Sequence, residues 1–437
     1  MGDAVAETAP KAGSGHTSPA EVFISRQPIF DAQQNVFGYE LLFPSSLENV
    51  LGDVNPDQAS AKVITDSAFL LTLSAIGGGK RVFINITRDV LVRGYIHLLP
   101  IHLTAAEVLQ TVEPDPEVLR ACRRLKETGY LLVLGDFALG QLHAALMEIA
   151  DIVKVDFLSA PPEKRRGVLS PFQGSKVRFL AEKLETQEEF KQAAELGYSY
   201  FQGQFFSKPV IISGRDVPAN KLSYLRMLKM LQAPGMNFLR MESVIKQDMA
   251  LTFKLLRCVN SAYFGLTNKV TSILHAMMLL GPREFKQWAS LLILARMGDD
   301  KPDELVKQGL SRALFCESLA PLFGLRHQSQ EIFLLGMFSL MDAILGRPLE
   351  EIAKDLPLTE EIKAALLGKA NRQRAVLEYA MTYEKGEWEK LKEISSALNL
   401  QETGVRTLYE ASLQWAQKSF EQVRAAEEAP RIEAPQL

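Results

Sequence analysis

Seven polar positions stand in or at the ends of short apolar, β-rich runs: Glu40, Asn85, Glu107, Asp136, Lys154 with Asp156, Glu182 and Gln202. Carboxylates, carboxamides and an ammonium are groups that move protons or hold ions and polar substrates. A single one ending a strand is ordinarily a cap or a turn former. From Asn85 onward, however, they recur roughly every 20 to 30 residues, about one strand–helix unit apart. If the strands close into a barrel, their C-terminal ends bring these residues to one mouth, where barrel enzymes place their chemistry. One run breaks the pattern. In LLVLGDFALG, residues 131–140, the acid Asp136 follows Gly135, which has no side chain. Gly135 is either a turn residue or a mouth position that has lost its functional group.

The elements that would position these residues can be read from pattern. VFISRQPIF, NVFGYELLF, RVFINIT, AEVLQTV, YLLVLGDF, DIVKVDF, VRFLAEKL and YFQGQFF read as strands. Between most of them lie amphipathic stretches such as PDPEVLRACRRLKETGY, in which Val118, Leu119, Cys122 and Leu125 share one helical face. Such alternation predicts a mostly parallel sheet, open or closed, and the spread of the polar residues favours a TIM-like barrel. After about Pro218 the strand signals stop and the chain reads as helical to about Ala426. There TSILHAMMLLG begins on the cap-competent Thr271 and Ser272 and ends on Gly281, and Pro282 suits the first turn of a following helix. Met277 and Met278 read as core. The fold class is therefore α/β plus all-α: a tail over 1–20, a barrel over 21–210, a linker over 211–222, a helical domain over 223–426 and a tail over 427–437.

Composition narrows the partners. Across 437 residues the formal net charge is −3, so no global basic field points to nucleic acid or an anionic membrane. Cys122, Cys258 and Cys316 lie far apart in no zinc spacing and read as reduced thiols of a cytoplasmic protein. No apolar run approaches the roughly 18 to 20 residues of a membrane span, and the N-terminal stretch lacks a signal-peptide pattern.

Taken together, QPIFDAQQNVFGYELL (Gln27 to Leu42), INIT, EVLQ, DF, KVD, AEKLET and QGQFFSKP make the first half resemble the EAL domain, a bacterial phosphodiesterase fold that cleaves cyclic di-GMP. That resemblance implies a carboxylate cluster binding two divalent cations, usually magnesium or manganese. Glu40, Asn85, Glu107 and Asp136 would be metal-ligand positions, with Lys154 positioning water and Glu182 as a base or metal position. Gln27, Glu40, Leu42, Glu185 and Gln202 would contact ligand or support the site. Measured against the family pattern, this chain departs at Gly135, where the first of two consecutive aspartates would stand. It departs again at Pro44, the place of a phosphate-binding arginine, and at Gln110, the place of a glutamate.

The second half resembles an HDOD domain, a relative of metal-dependent HD phosphohydrolases. The segment carrying this runs from VIKQDMALTFKLLRCVNSAYF to GPREFKQW and includes Asp248, Asn260, Ser261 and Ser272. In LLGMFSLMDAIL the metal-binding His-Asp pair of catalytic relatives has become Ser339-Leu340, so no metal centre is expected there. Asn260 with Ser261 reads as a polar pair that fixes an interhelical turn, and Ser272 as an N-cap.

With mouth ligands missing, the sequence leads to an expectation of a catalytically inactive signalling adaptor requiring no cofactor. The barrel would act as platform or cyclic di-GMP sensor, and the helical domain would bind other signalling proteins in motility or biofilm control. The family also allows a homodimer. The alternatives are a polar plug in the barrel and a weak cyclic di-GMP phosphodiesterase using magnesium or manganese.

Overall fold

The computed structural model describes residues 24–42, 76–135, 144–159, 174–208, 238–246, 270–298, 300–356, 358–400 and 403–428, with single positions between these stretches. The expected N-terminal tail and linker, the expected C-terminal tail beyond Glu428, and Pro44, Asp136, Asp248, Cys258 and Ser261 lie outside the described residues, whereas Glu427 and Glu428 continue the last helix.

Eight strands close into a barrel in sequence order. They are β1 (Ser25–Asp31), β2 (Val36–Leu42), β3 (Arg81–Ile86), β4 (Thr104–Leu109), β5 (Leu131–Gly135), β6 (Ile152–Asp156), β7 (Arg178–Leu184) and β8 (Tyr200–Gly203). β1 runs antiparallel to both neighbours, β2 and β8, whereas the remaining pairs are parallel. Helices α1 (Arg88–Val92), α2 (Pro116–Glu127), α3 (Ala144–Met147) and α4 (Gln187–Leu196) follow strands of the barrel. Their starts are built from sequence: Asp115 caps α2 ahead of Pro116, and Thr186 with Glu189 forms a capping box on α4.

Strand alternation makes the barrel interior a stack of layers. Ile29, Phe83, Ala105, Val133, Ile152, Leu180 and Tyr200 form an apolar floor. Gly38 leaves room for it, since a Cβ there would lie 2.9 Å from the Phe83 ring. Two residues further toward the mouth on each strand come Gln27, Asn85, Glu107, Gly135, Lys154, Glu182 and Gln202. The parity that buries the floor thus forces the polar set into the interior.

The second half is helical: α5 (Phe238–Ile245), α6 (Ile273–Met297), α7 (Asp303–Leu319), α8 (Ser329–Phe338), α9 (Met341–Leu345), α10 (Leu349–Asp355), α11 (Glu360–Leu366), α12 (Arg372–Lys385), α13 (Trp388–Leu398) and α14 (Val405–Glu428). Ser272 caps α6, accepting from the His275 amide, and the helix breaks at Gly281 (φ 79°) before Pro282. The expectation that Met277 and Met278 are both core is corrected: Met277 is buried, but Met278 is exposed. Adjacent helical residues point about 100° apart, so one stripe cannot take both. Among the described residues no helix is long and apolar enough to cross a membrane.

The helical domain packs on the outer face of β1 and β2. Arg26 lies over the Tyr39 ring, 4.0 Å from its centre, and 3.5 Å from the Glu304 carboxylate at the start of α7. Tyr39 donates its hydroxyl to Glu304 at 2.8 Å, and Arg26 also donates to the Ile76 carbonyl. Ser25 donates to the Glu384 carbonyl at the end of α12, 2.6 Å away. Arg26 and Glu304 are both almost fully buried, and removing one partner of such a pair typically costs about 3–5 kcal/mol. Glu304→Ala is therefore expected to lower the unfolding free energy by roughly that amount. Urea denaturation of the full chain would measure it, and a change under about 1 kcal/mol would mean that the pair does not anchor the domains.

Candidate functional site

The mouth is organised around one buried ammonium. Lys154 Nζ lies 2.8 Å from a carboxylate oxygen of each of Glu40, Glu107 and Glu182. Gln202 donates to Glu40 at 2.6 Å and to Gln27 at 3.0 Å, and Asn85 donates to Glu40 at 3.5 Å. All but the outermost of these groups are withdrawn from water, with Lys154 only 1% exposed.

Burial and charge oppose each other here. For Glu40, burial pushes the carboxyl up, but Lys154 and the hydrogen bonds from Lys154, Gln202 and Asn85 outweigh it, so the net shift is downward. Glu107 goes the other way: burial raises it against the pull of Lys154, and the charges of Glu40 and Glu182 add to the rise, to about 8. Lys154 is pulled down by burial, yet the three carboxylates more than reverse this and hold it charged. Three acids around one cation thus favour leaving a proton on Glu107.

Gly135 is not a turn residue. It ends β5 inside the barrel, and a Cβ built on it would meet Glu107 Oε1 at 2.3 Å and Glu107 Cγ and Cδ at 3.0 Å. The Glu107 side chain lies across the space that a side chain at 135 would occupy.

Hard oxygen donors suit a divalent cation such as magnesium or manganese. The Oε2 atom of Glu107 and the Oδ1 atom of Asn85 are buried with no hydrogen-bond partner, which fits oxygens available to an ion. Among the described residues, no three acidic, His or Cys side chains already surround one point in ligating geometry, because the glutamates converge on Lys154.

The other sequence-derived positions separate from this cluster. Glu185 is exposed and pairs with Lys208 at 2.6 Å, and Gln110 is exposed in the turn after β4. Asp156 accepts from the Leu158 and Ser159 amides and pairs with Lys183, so it shapes the β6 exit. Leu42 lines a cleft beside the mouth together with Ser339 and Leu340. Ser339 accepts from Arg312 at 2.8 Å and donates to the Gly336 carbonyl. Asn260 clasps Val270, donating to its carbonyl and accepting from its amide, each at 2.7 Å.

Sequence reasoning missed Arg26, Tyr39, Glu304, Arg312 and Glu384. Arg26 carried a signal, a charged residue between apolar neighbours in a strand. Arg312 and Glu384 form a buried pair at 2.6 Å that no local spacing announces, since they are far apart in the chain.

An eight-stranded barrel with one reversed strand, a polar mouth and an attached helical domain defines a class, and comparison narrows it. The HDOD domain family matches residues 217–362. The Bacillus subtilis protein YuxH, uncharacterised, is 36% identical over 402 residues, covering 90% of this chain and 98% of its own. A Vibrio cholerae protein named cyclic di-GMP phosphodiesterase CdgJ is 32% identical over 400 residues, covering 90% and 92%. Among solved structures, the calcium and cyclic di-GMP complex of Klebsiella pneumoniae BlrP1 is 20% identical, covering 44% of this chain and 56% of that one, with a TM-score of 0.35. The chain belongs to the EAL–HDOD family represented by these full-length relatives. The expectation of a catalytically inactive barrel is overturned: a relative matched over nine-tenths of the chain bears the name of a phosphodiesterase.

Two outcomes follow from this geometry. Gly135→Ala should displace the Glu107 carboxylate from Lys154 and cost about 1–3 kcal/mol, the usual scale of overpacking, measurable by thermal unfolding; an unchanged midpoint would show that Glu107 relocates freely. Second, Glu107 takes up its proton near pH 8 when folded against 4.5 ordinarily. The folded chain then binds more protons in that window, so stability should fall as pH rises through it. In metal-free buffer, Glu107→Gln should flatten that fall, and an identical pH profile would contradict the raised carboxyl.

Proposed function

We propose that the barrel mouth hydrolyses cyclic di-GMP with a divalent cation, and that the helical domain acts on the barrel as its regulator. The observation that carries the reading is the set of Glu40, Glu107 and Glu182 gathered on Lys154 beside Asn85, with buried unpartnered oxygens on Glu107 and Asn85. The name of the 32% identical relative supports it.

Glu40, Asn85, Glu107 and Glu182 would hold magnesium or manganese. Such a cation supplies Lewis-acid activation of water and charge neutralisation at the phosphodiester. Lys154 contributes a fixed positive charge in a water-poor mouth, where it stabilises developing negative charge more strongly than it would in water. Its three donors are all taken by carboxylates, so it acts through its charge and not through a hydrogen bond to the phosphate. Gln27 and Gln202 set the rim: their amides are tied to each other and to Glu40, which orients hydrogen-bonding groups toward an incoming polar ligand. Regulation by the helical domain is supported by β1, whose residues alternate between the mouth and the domain contact.

The test is incubation of the full chain with cyclic di-GMP and magnesium or manganese, followed by chromatography. The linear dinucleotide is expected as product, abolished by chelation and reduced about 100-fold or more in Glu40→Ala, the scale of losing a charge-stabilising group. Absence of product with either metal would overturn the reading.

A further inference from the structure

Between the barrel mouth and the helical domain lies a cleft of about 240 Å³. It begins where the carboxylate cluster ends, because Gln27 lines it and is bonded through Gln202 to Glu40. The barrel contributes Leu42 and Phe206 to its walls, and the helical domain contributes Asp342, Met381 and Lys385. The volume lies below the roughly 300–1,000 Å³ of a drug-sized ligand's pocket, which leaves room for one base with its sugar rather than a whole cyclic dinucleotide.

Not every charge in the cleft is available. Arg312 holds Glu384 through the Nε–Nη2 edge of its guanidinium, and its Nη1 donates to Ser339. Asp342 differs: its Oδ1 accepts from the Ala343 amide at the start of α9, which leaves the second oxygen to accept elsewhere. Lys385 sits at the exposed rim, 3.8 Å from its ionic partner Glu387.

We propose that this cleft holds one guanine base of the dinucleotide, so that the helical domain forms one wall of the barrel's substrate site. The proposal rests on the phosphodiesterase reading for its ligand. Extruded bases are read by hydrogen bonds to the Watson–Crick edge and by flanking apolar or aromatic side chains. Phe206, Leu42 and Met381 supply the flanks. Asp342 supplies an acceptor for the N1–H and N2–H donors of guanine, and the Lys385 ammonium suits the O6 and N7 acceptors. Adenine would turn the N1 acceptor toward the Asp342 carboxylate and be disfavoured.

The experiment compares wild type, Asp342→Asn and Met381→Ala as full-length proteins. It measures calorimetric affinity for cyclic di-GMP and cyclic di-AMP in the presence of calcium. It also measures turnover of cyclic di-GMP and of bis(p-nitrophenyl) phosphate, a small diester that needs only the mouth, with manganese. Both variants should weaken cyclic di-GMP affinity about tenfold, or raise KM by that factor at unchanged kcat, the scale of one lost polar or packing contact. Asp342→Asn should leave cyclic di-AMP affinity unchanged, narrowing the base preference, and small-diester turnover should stay at the wild-type level in both. Wild-type cyclic di-GMP affinity in both variants would overturn the proposal, and so would an equal loss for both dinucleotides and the small diester. Tight binding without hydrolysis by the wild type would sink the phosphodiesterase reading alone, with the affinities still deciding the cleft. Absence of cyclic di-GMP binding by the wild type would end both.

Discussion

An ammonium buried among three carboxylates governs the mouth of this barrel. Lys154 cannot remain charged at that depth without them, and Glu40, Glu107 and Glu182 cannot approach one another without it. Burying either sign alone would cost several kcal/mol, so the four side chains come as a unit. Their positions are set by strands β2, β4, β6 and β7, and each stands two residues above a member of the apolar floor or of its supporting glycine. Packing of the floor therefore fixes the charge constellation, and the constellation in turn closes the interior against water.

The same alternation carries the connection to the helical domain. On β1, Gln27 points into the mouth, and its neighbour Arg26 points out to Tyr39 and Glu304. Ser25 and Ile24, just before them, reach the end of α12 through Glu384 and Tyr383. A shift of α7 or α12 relative to the barrel would act on the one strand that runs opposite to the others and brings its N-terminal end to the mouth. This is a physical link between the halves, and ligand would bias it only by binding differently to two arrangements.

Much of this was legible in the chain. Strand runs with period-two alternation announced the barrel, and regularly spaced polar residues announced its mouth, because local pattern and tertiary position coincide there. Ser272 was readable as a cap since capping is a local event. What stayed hidden depends on distant partners. Arg26 and Glu304 are nearly 300 residues apart, and neither has a local reason to be buried. Glu185 reads as part of the site, yet it stands exposed beyond the end of β7 beside Lys208. Gly135 is a third kind of case: the sequence records an absent side chain but not that Glu107 leans into the space beside it.

That last point bears on how an incomplete-looking site should be weighed. With three ionised carboxylates and one ammonium, the cluster would already carry an excess of negative charge; burial first, and then the charges of Glu40 and Glu182, raise the Glu107 carboxyl. A further acid at 135 would collide with Glu107 and add to the same repulsion. An entering divalent cation, by contrast, would favour the ionised Glu107 and release its proton. The relevant quantity is thus the electrostatic balance of the whole mouth rather than the presence of one ligand. In the cation-free mouth, a glycine beside Glu107 avoids both the collision and the added repulsion.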